Sequence, residues 1–70
     1  MPRFTYGDIV QVKATADQSC RPGAKAWVIA VIEDRKRFPL RQLPPGTVYS
    51  IEFEGGEAID IIEDDVETGI

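Results

Sequence analysis

Short stretches in which apolar and polar residues alternate follow one another along this chain, separated by segments rich in proline and glycine. The first comprises residues 9–13 and places Val10 and Val12 on one face. The second, residues 27–32, is rich in β-branched residues and apolar on both faces. A period of two residues predicts a β-strand in the first stretch, and β-branched and aromatic residues predict one in the second, which is then central or covered on both sides.

Residues 47–54 alternate most regularly and direct three large side chains to one face: Tyr49, Ile51 and Phe53. Gly55 and Gly56 follow, and because both accept positive φ they predict a two-residue type I′ hairpin turn. Residues 57–61 predict the returning strand, with Ile59 and Ile61 facing inward. The pattern therefore predicts an antiparallel hairpin whose apolar face lies on the core.

The remaining segments predict connections and a closing turn. Residues 14–25 and 33–46 contain Pro and Gly and predict two long loops. Residues 62–67 predict one short helical turn in which Ile62 and Val66 close one end of the core. Residues 68–70 predict either a short last strand or a frayed tail. Together these elements predict a single all-β domain over residues 1–70, a small antiparallel barrel of about five strands.

Length and composition exclude several kinds of chemistry. The chain has 70 residues, no His and one Cys, and a domain of this size buries only about 60% of the surface that its unfolded chain exposes. Without His, neither a Ser-His-Asp triad nor a His-ligated metal site can form, and one Cys allows no internal disulfide and no Cys-based zinc site. We therefore expect no enzymatic activity, metal or cofactor, and we interpret Cys20 as an incidental thiol.

Charge is divided unevenly along this acidic chain, whose formal net charge is −4. Residues 1–42 carry all eight basic residues and four acidic ones, whereas residues 43–70 carry eight acidic residues and no basic one. This asymmetry either marks a binding face or is neutralised between neighbouring strands. The chain begins without an apolar signal segment and has no apolar run long enough to span a membrane, which predicts a cytoplasmic protein without membrane contact.

The strongest candidate for a binding site is the basic segment, residues 35–41, in which four basic residues are interleaved with Phe38 and Leu40. An acidic protein partner would use Phe38 or Leu40 as an anchor and arginine as a hot spot. A nucleic acid would use the charge for its phosphates and Phe38 for stacking. A solvated loop that covers the end of the barrel is the third interpretation. The predicted partner-binding residues are Arg35, Arg37, Phe38, Leu40 and Arg41, together with the aromatic Trp27.

Four pieces of the chain, GDIVQV at residues 7–12, PGAKAWV at 22–28, VYSIEF at 48–53 and EDDVE at 63–67, occur in a familiar order. This order resembles the SH3-like small barrels of bacterial proteins, including the KOW-type modules. The resemblance implies the fold, and within it we predict a non-enzymatic module that binds a protein partner or acts as an accessory protein, an immunity protein being one case. A KOW-type nucleic-acid or ribosome-associated module and a small barrel subunit of an enzyme complex are the alternatives, and a homo-oligomer stays open.

Overall fold

The computed structural model describes residues 2–33 and 46–70. Within these ranges the chain forms five strands: β1 (Ile9–Val12), β2 (Lys25–Ile32), β3 (Val48–Phe53), β4 (Ala58–Ile62) and β5 (Val66–Thr68). Two 3₁₀ turns, Gln18–Cys20 and Glu63–Asp65, lie between them. All strand pairings are antiparallel and belong to one sheet. The predicted all-β class with five antiparallel strands is confirmed.

The order of the strands requires the sheet to curl. In the order β4-β3-β2-β1-β5 the strands β4 and β5 are opposite edges, although only the turn Glu63–Asp65 separates them in the chain. Five flat strands would hold these edges about 19 Å apart. The connecting chain reaches about 14 Å when fully extended and less as a 3₁₀ turn. The sheet is therefore strongly curled, which is compatible with a small β-barrel-like fold.

A β-bulge at Ile29 divides β2 into two halves. Val28 and Ala30 pair with consecutive residues of β3, so Ile29 is an extra residue without a partner in that strand. Only the first half of β2, residues 25–27, also pairs with β1. A bulge bends its strand and increases the local twist, so this one lies where β2 leaves β1 and continues beside β3.

The β3–β4 hairpin closes through a three-residue loop, residues 54–56, and the predicted two-residue type I′ turn is wrong. Gly56 has a φ of +91°, whereas Gly55 is not among the residues with positive φ. The Gly56 N–H donates to the Phe53 carbonyl (2.9 Å), and the Phe53 N–H donates to the Glu57 carbonyl (2.7 Å). Two residues thus face Phe53 across the ladder, which is a bulge with glycine in the left-handed conformation.

The extra loop residue sets the register of the hairpin. Ile51 pairs with Ile59 and Tyr49 pairs with Ile61, so the isoleucines of β4 lie on the same face as the large side chains of β3. A two-residue turn would shift the pairing by one residue and move Ile59 and Ile61 to the opposite face. The predicted inward orientation of these two side chains is confirmed because the turn is one residue longer than predicted.

The core lies on one face of the curled sheet. Tyr49 and Phe53, which the alternation places inward, are both buried. The face opposite the core cluster is called the outer face below. The buried side chains of the cluster are Val10, Val12, Ala16, Ala26, Val28, Tyr49, Ile51, Phe53, Ile61 and Val66.

The prediction that Ile62 and Val66 together close the core is only half correct. Val66 is buried in the core cluster. Ile62 instead lies in register with Val48, which in turn pairs with Ile32. Because residues next to each other in a strand point to opposite faces, and Ile61 faces the core, these three side chains form a small apolar row on the outer face. Val48 is fully buried there.

Candidate functional site

Trp27 is the one predicted partner-binding residue that lies in the described part of the chain. It is the third residue of β2 and alternates with Ala26 and Val28, both buried. Its side chain therefore projects from the outer face, and the residue is 37% exposed. The other predicted site residues lie outside the described residues, so their role stays a prediction: Arg35, Arg37, Phe38, Leu40 and Arg41.

Ile9 is the cross-strand neighbour of Trp27. It is the first residue of β1, pairs directly with Trp27 and is 47% exposed. The Val28 N–H donates to the Asp8 carbonyl (3.0 Å), which makes Ile9 and Trp27 a non-hydrogen-bonded pair. In such pairs the Cα atoms lie about 4.5 Å apart and the side chains are closest. The two residues form one apolar patch, called the Ile9–Trp27 pair below.

A turn and a bulge before β1 set the register of this pair. The Asp8 N–H donates to the Thr5 carbonyl (3.0 Å), and Gly7, the third residue of that turn, has a φ of +89°. The Gly7 N–H then donates to the Val28 carbonyl (2.8 Å), so Gly7 and Asp8 both face Val28 in a bulge. The same arrangement recurs at the other end of β1, where residues 21–24 form the turn. The two bulges thus fix which side chains of β1 point outward.

Ile9 is a candidate site residue that the sequence analysis missed. The alternation that places the valines of β1 in the core also places Ile9 on the opposite face, and a large apolar residue there is the available signal. Tyr6 (74% exposed) and Ile70 are the other exposed large apolar residues in the described part of the chain. Tyr6 lies in the turn before β1, and Ile70 follows Gly69, whose N–H donates to the Ile9 carbonyl (3.0 Å). The exposed apolar residues thus surround one end of β1.

The surface formed by the described residues is acidic. Residues 2–33 and 46–70 carry four basic and eleven acidic residues. Beside the Ile9–Trp27 pair, Glu52 lies directly opposite Trp27, and Lys25 precedes Trp27 by two residues on the same strand. The eight acidic residues of the second part of the chain lie on β3, β4, β5 and the connections between them. Because β4 follows β3 in a hairpin and only the turn Glu63–Asp65 connects β4 to β5, these acidic elements are contiguous, which favours a basic partner.

Arg21 links the β1–β2 connection to the β3–β4 hairpin. Its guanidinium lies 5.0 Å from the centroid of the Phe53 ring, and its Nη2 atom donates to a Glu57 carboxylate oxygen. This hydrogen bond, and then the attraction between the two opposite charges, raise the pKa of Arg21 and lower the pKa of Glu57. The Arg21 N–H also donates to the Gln18 carbonyl and so caps the first 3₁₀ turn. Arg21 is therefore engaged within the fold and offers little free positive charge.

Tyr49 anchors the segment that precedes β1. Its side chain is fully buried, and its hydroxyl donates to Glu63 Oε2 (2.5 Å) while accepting the N–H groups of Arg3 (2.9 Å) and Phe4 (3.2 Å). Glu63 Oε2 also accepts the Arg3 N–H (3.0 Å). The rings of Phe4 and Tyr49 meet edge to face, with centroids 5.8 Å apart.

This network changes the pKa of both titratable partners. Burial, and then the hydrogen bond to Glu63, raise the pKa of Tyr49. The hydrogen bond from Tyr49, and then the one from the Arg3 N–H, lower the pKa of Glu63. The network holds the N-terminal segment on the sheet and so supports the turn that positions Ile9.

Three other features of the same ranges bear on function. In residues 2–33 and 46–70, no three acidic or Cys side chains come together as a metal site would require. Cys20 is half-buried and packs against the core cluster. The helical segments described are two three-residue turns, and neither is long enough to cross a membrane.

Comparison with known proteins adds no family to this description. No protein-family model matches the chain. No curated protein matches it, and no solved structure matches it. The functional interpretation therefore depends on the residues and geometry of the chain itself.

Proposed function

We propose that this protein is a non-enzymatic, cytoplasmic protein-binding or accessory module of the SH3-like barrel type. The observation that carries the proposal is the Ile9–Trp27 pair, two large apolar side chains exposed side by side on the outer face. Tryptophan is enriched among the residues that dominate binding energy in protein interfaces. It also buries a large area at low cost in conformational entropy, since it has only two side-chain torsions.

The SH3-like assignment is supported by where the four resembling pieces fall. Residues 7–12 cover the first bulge and β1, and residues 22–28 cover the second turn and the start of β2. Residues 48–53 are β3, and residues 63–67 cover the second 3₁₀ turn and the start of β5. The strand order and the strong curl of the sheet are compatible with the same assignment.

In this proposal the strands supply a rigid frame for recognition. Trp27 and Ile9 sit on paired strands whose register is set by bulges at both ends of β1, so a partner meets a preformed surface and little ordering is required on binding. The basic segment, residues 35–41, joins β2 to β3 and is proposed as a second contact region for an acidic part of a partner.

The test uses the single tryptophan of the chain as its own reporter. A partner captured by crosslinking is titrated against the wild type, Trp27→Ala and the control Gln18→Ala, which alters an exposed residue of the first 3₁₀ turn. Removing a hot-spot tryptophan should cost about 2 kcal/mol or more, which is about thirtyfold in Kd. Burial should also shift the Trp27 emission of the wild type to shorter wavelength. Unchanged affinity in Trp27→Ala would contradict the proposal.

The basic segment is tested in the same titration. Arg37→Ala and Phe38→Ala should each weaken binding if residues 35–41 contact the partner, because truncating an arginine or aromatic hot spot lowers affinity. If neither variant binds more weakly, the segment is not a contact region. If the captured partner is an enzyme, the alternative of a small subunit of an enzyme complex is favoured.

The nucleic-acid alternative makes a different prediction. Binding through phosphates weakens by orders of magnitude between low and moderate salt. A gel-shift titration at low salt that gives no complex would remove this alternative, and a complex that dissociates steeply with added salt would favour it.

A further inference from the structure

The outer edge of β4 presents main-chain groups that point away from the sheet. Two hydrogen bonds show which main-chain groups on this side of the hairpin point towards β3. The Phe53 N–H donates to the Glu57 carbonyl (2.7 Å), and the Glu63 N–H donates to the Thr47 carbonyl (3.0 Å). Because main-chain groups alternate in direction along a strand, the odd-numbered residues of β4 bond to β3. The residues whose N–H and C=O groups point outward are Ala58, Asp60 and Ile62.

These outward groups are open to an added strand. β4 pairs with β3 alone, and in the described ranges the N–H groups of its three outward residues have no partner. Ala58 and Asp60 are exposed, and β4 contains neither the Pro nor the Lys that commonly blocks a sheet edge. The other edge is less suitable: β5 has three residues, and the outward N–H of Val66 already bonds to the Glu63 carbonyl.

Charge identifies the chemistry of the strand that would fit. The Asp60 carboxylate accepts a hydrogen bond from the Ser50 hydroxyl (2.5 Å) across the outer face. Acidic residues also precede and follow β4, and residues 43–70 contain no basic residue. A second copy that paired its β4 antiparallel to this one would place like charges on opposed strands, which is destabilising. A strand with Lys or Arg at alternate positions would instead meet Asp60 with opposite charge.

We propose that the outer edge of β4 binds an extended basic segment of a partner protein as an additional strand of the sheet. The inference rests on the proposed function as a protein-binding module, but it uses a surface other than the Ile9–Trp27 pair. Main-chain hydrogen bonds to Ala58, Asp60 and Ile62 provide affinity, and a basic side chain beside Asp60 provides selectivity.

The test measures amide hydrogen exchange of the intact chain with three synthetic peptides of about nine residues, within the usual strand length. The first alternates Lys and Val, the second alternates Glu and Val, and the third is the Lys-Val peptide with alternate backbone nitrogens methylated. Only the first should slow exchange of the Ala58, Asp60 and Ile62 amides, by about tenfold near saturation. No protection by the Lys-Val peptide, or equal protection by the methylated one, would overturn the proposal.

Substitutions at Ala58 separate main-chain pairing from attraction of charge. Proline is tolerated at the first residue of an edge strand, so Ala58→Pro removes one outward N–H without breaking a bond to β3. It should weaken binding of the Lys-Val peptide about tenfold, whereas Ala58→Ser should bind as the wild type does. Equal binding by the two variants would contradict strand addition. Should Ala58→Pro fail to fold, the exchange experiment on the wild type decides alone.

Two controls identify the occupant and separate this inference from the proposed function. Trp27→Ala should leave the protection of the β4 amides by the Lys-Val peptide unchanged, so each surface succeeds or fails independently. Protection of the same amides that rises with protein concentration in the absence of peptide would show that a second copy occupies the edge. That outcome would overturn a partner protein as the occupant.

Discussion

Tyr49→Phe tests the anchoring of the N-terminal segment by removing a single oxygen atom. The Tyr49 side chain is fully buried, and its hydroxyl contacts Glu63 Oε2 (2.5 Å), the Arg3 N–H (2.9 Å) and the Phe4 N–H (3.2 Å). Phenylalanine keeps the ring and its edge-to-face contact with Phe4. Any loss of stability therefore reports on the hydrogen bonds and not on packing.

The expected loss of stability in Tyr49→Phe follows from the three hydrogen bonds of the Tyr49 hydroxyl. A hydrogen bond to a charged group contributes about 1.5–3 kcal/mol, and we take the lower end because water can reach the partly exposed Glu63. The Phe4 N–H loses its acceptor, which adds a few tenths to about 1 kcal/mol. The Arg3 N–H keeps Glu63 Oε2 at 3.0 Å and adds little. The sum is about 2 kcal/mol, and in a domain of this size it lowers Tm by about 8–16 °C.

Thermal and urea unfolding followed by circular dichroism measure this loss. Tyr6→Phe is the matched control, because Tyr6 is 74% exposed and such a surface change should alter stability by less than about 0.5 kcal/mol. A double-mutant cycle with Glu63→Gln should give a coupling energy of at least about 0.5 kcal/mol, as residues in one network usually do. If Tyr49→Phe costs no more than Tyr6→Phe, or if the cycle is additive, the anchoring argument is wrong.

Three further predictions concern the hairpin loop, the loss of stability at low pH and the contact between β1 and the residue after β5. Gly56→Ala should destabilise by about 1 kcal/mol because φ is +91° there, whereas Gly55→Ala should be neutral or stabilising by up to about 1 kcal/mol; equal effects in urea unfolding would contradict the three-residue loop. The folded pKa of Glu63 lies below its ordinary value of 4.5, so its contribution is full above that pH and is lost as pH falls through the folded pKa. Glu63→Gln should therefore lose less stability than the wild type between pH 7 and pH 3, and an equal loss would argue against the network. Gly69→Ala should speed exchange of its own amide, because a Cβ there would lie 2.9 Å from the Val10 carbonyl carbon and oxygen; unchanged exchange would mean that the contact relaxes freely.

The strands could be predicted from the sequence because alternation is a local property. The two-residue period alone predicts that Tyr49, Ile51 and Phe53 face inward, and all three are buried in the structure. The turn between β3 and β4 could not be predicted from local sequence alone, because Gly55 and Gly56 both permit positive φ. Only the register that places Ile59 and Ile61 on the core face selects the three-residue loop. The pairing of side chains across the sheet therefore determines the length of the turn, which the two glycines alone do not.

The candidate site was less accessible to sequence reasoning than the fold. Trp27 sits in a strand that is apolar on both faces, and its outward orientation follows from the register of β2 with β1 and β3. Ile9 becomes part of the site only because Gly7 and Asp8 both face Val28. Pairings between strands that lie far apart in the chain cannot be predicted from one stretch of sequence. The acidic character of the second part of the chain was visible in the sequence, but its contiguity follows from the β3–β4 hairpin and the short turn that connects β4 to β5.

The two proposed surfaces lie on one side of the sheet and differ in what they recognise. Trp27 pairs with Glu52, which pairs with Ala58, so a strand added to β4 would lie three strand spacings from Trp27, about 14 Å measured along the sheet. One partner could contact both surfaces only if it presented a strand and an apolar patch at that separation. Trp27→Ala and Ala58→Pro would then show a coupling energy towards that partner, whereas two separate partners would respond to one substitution each. The cycle thus decides whether side-chain and main-chain recognition serve a single partner.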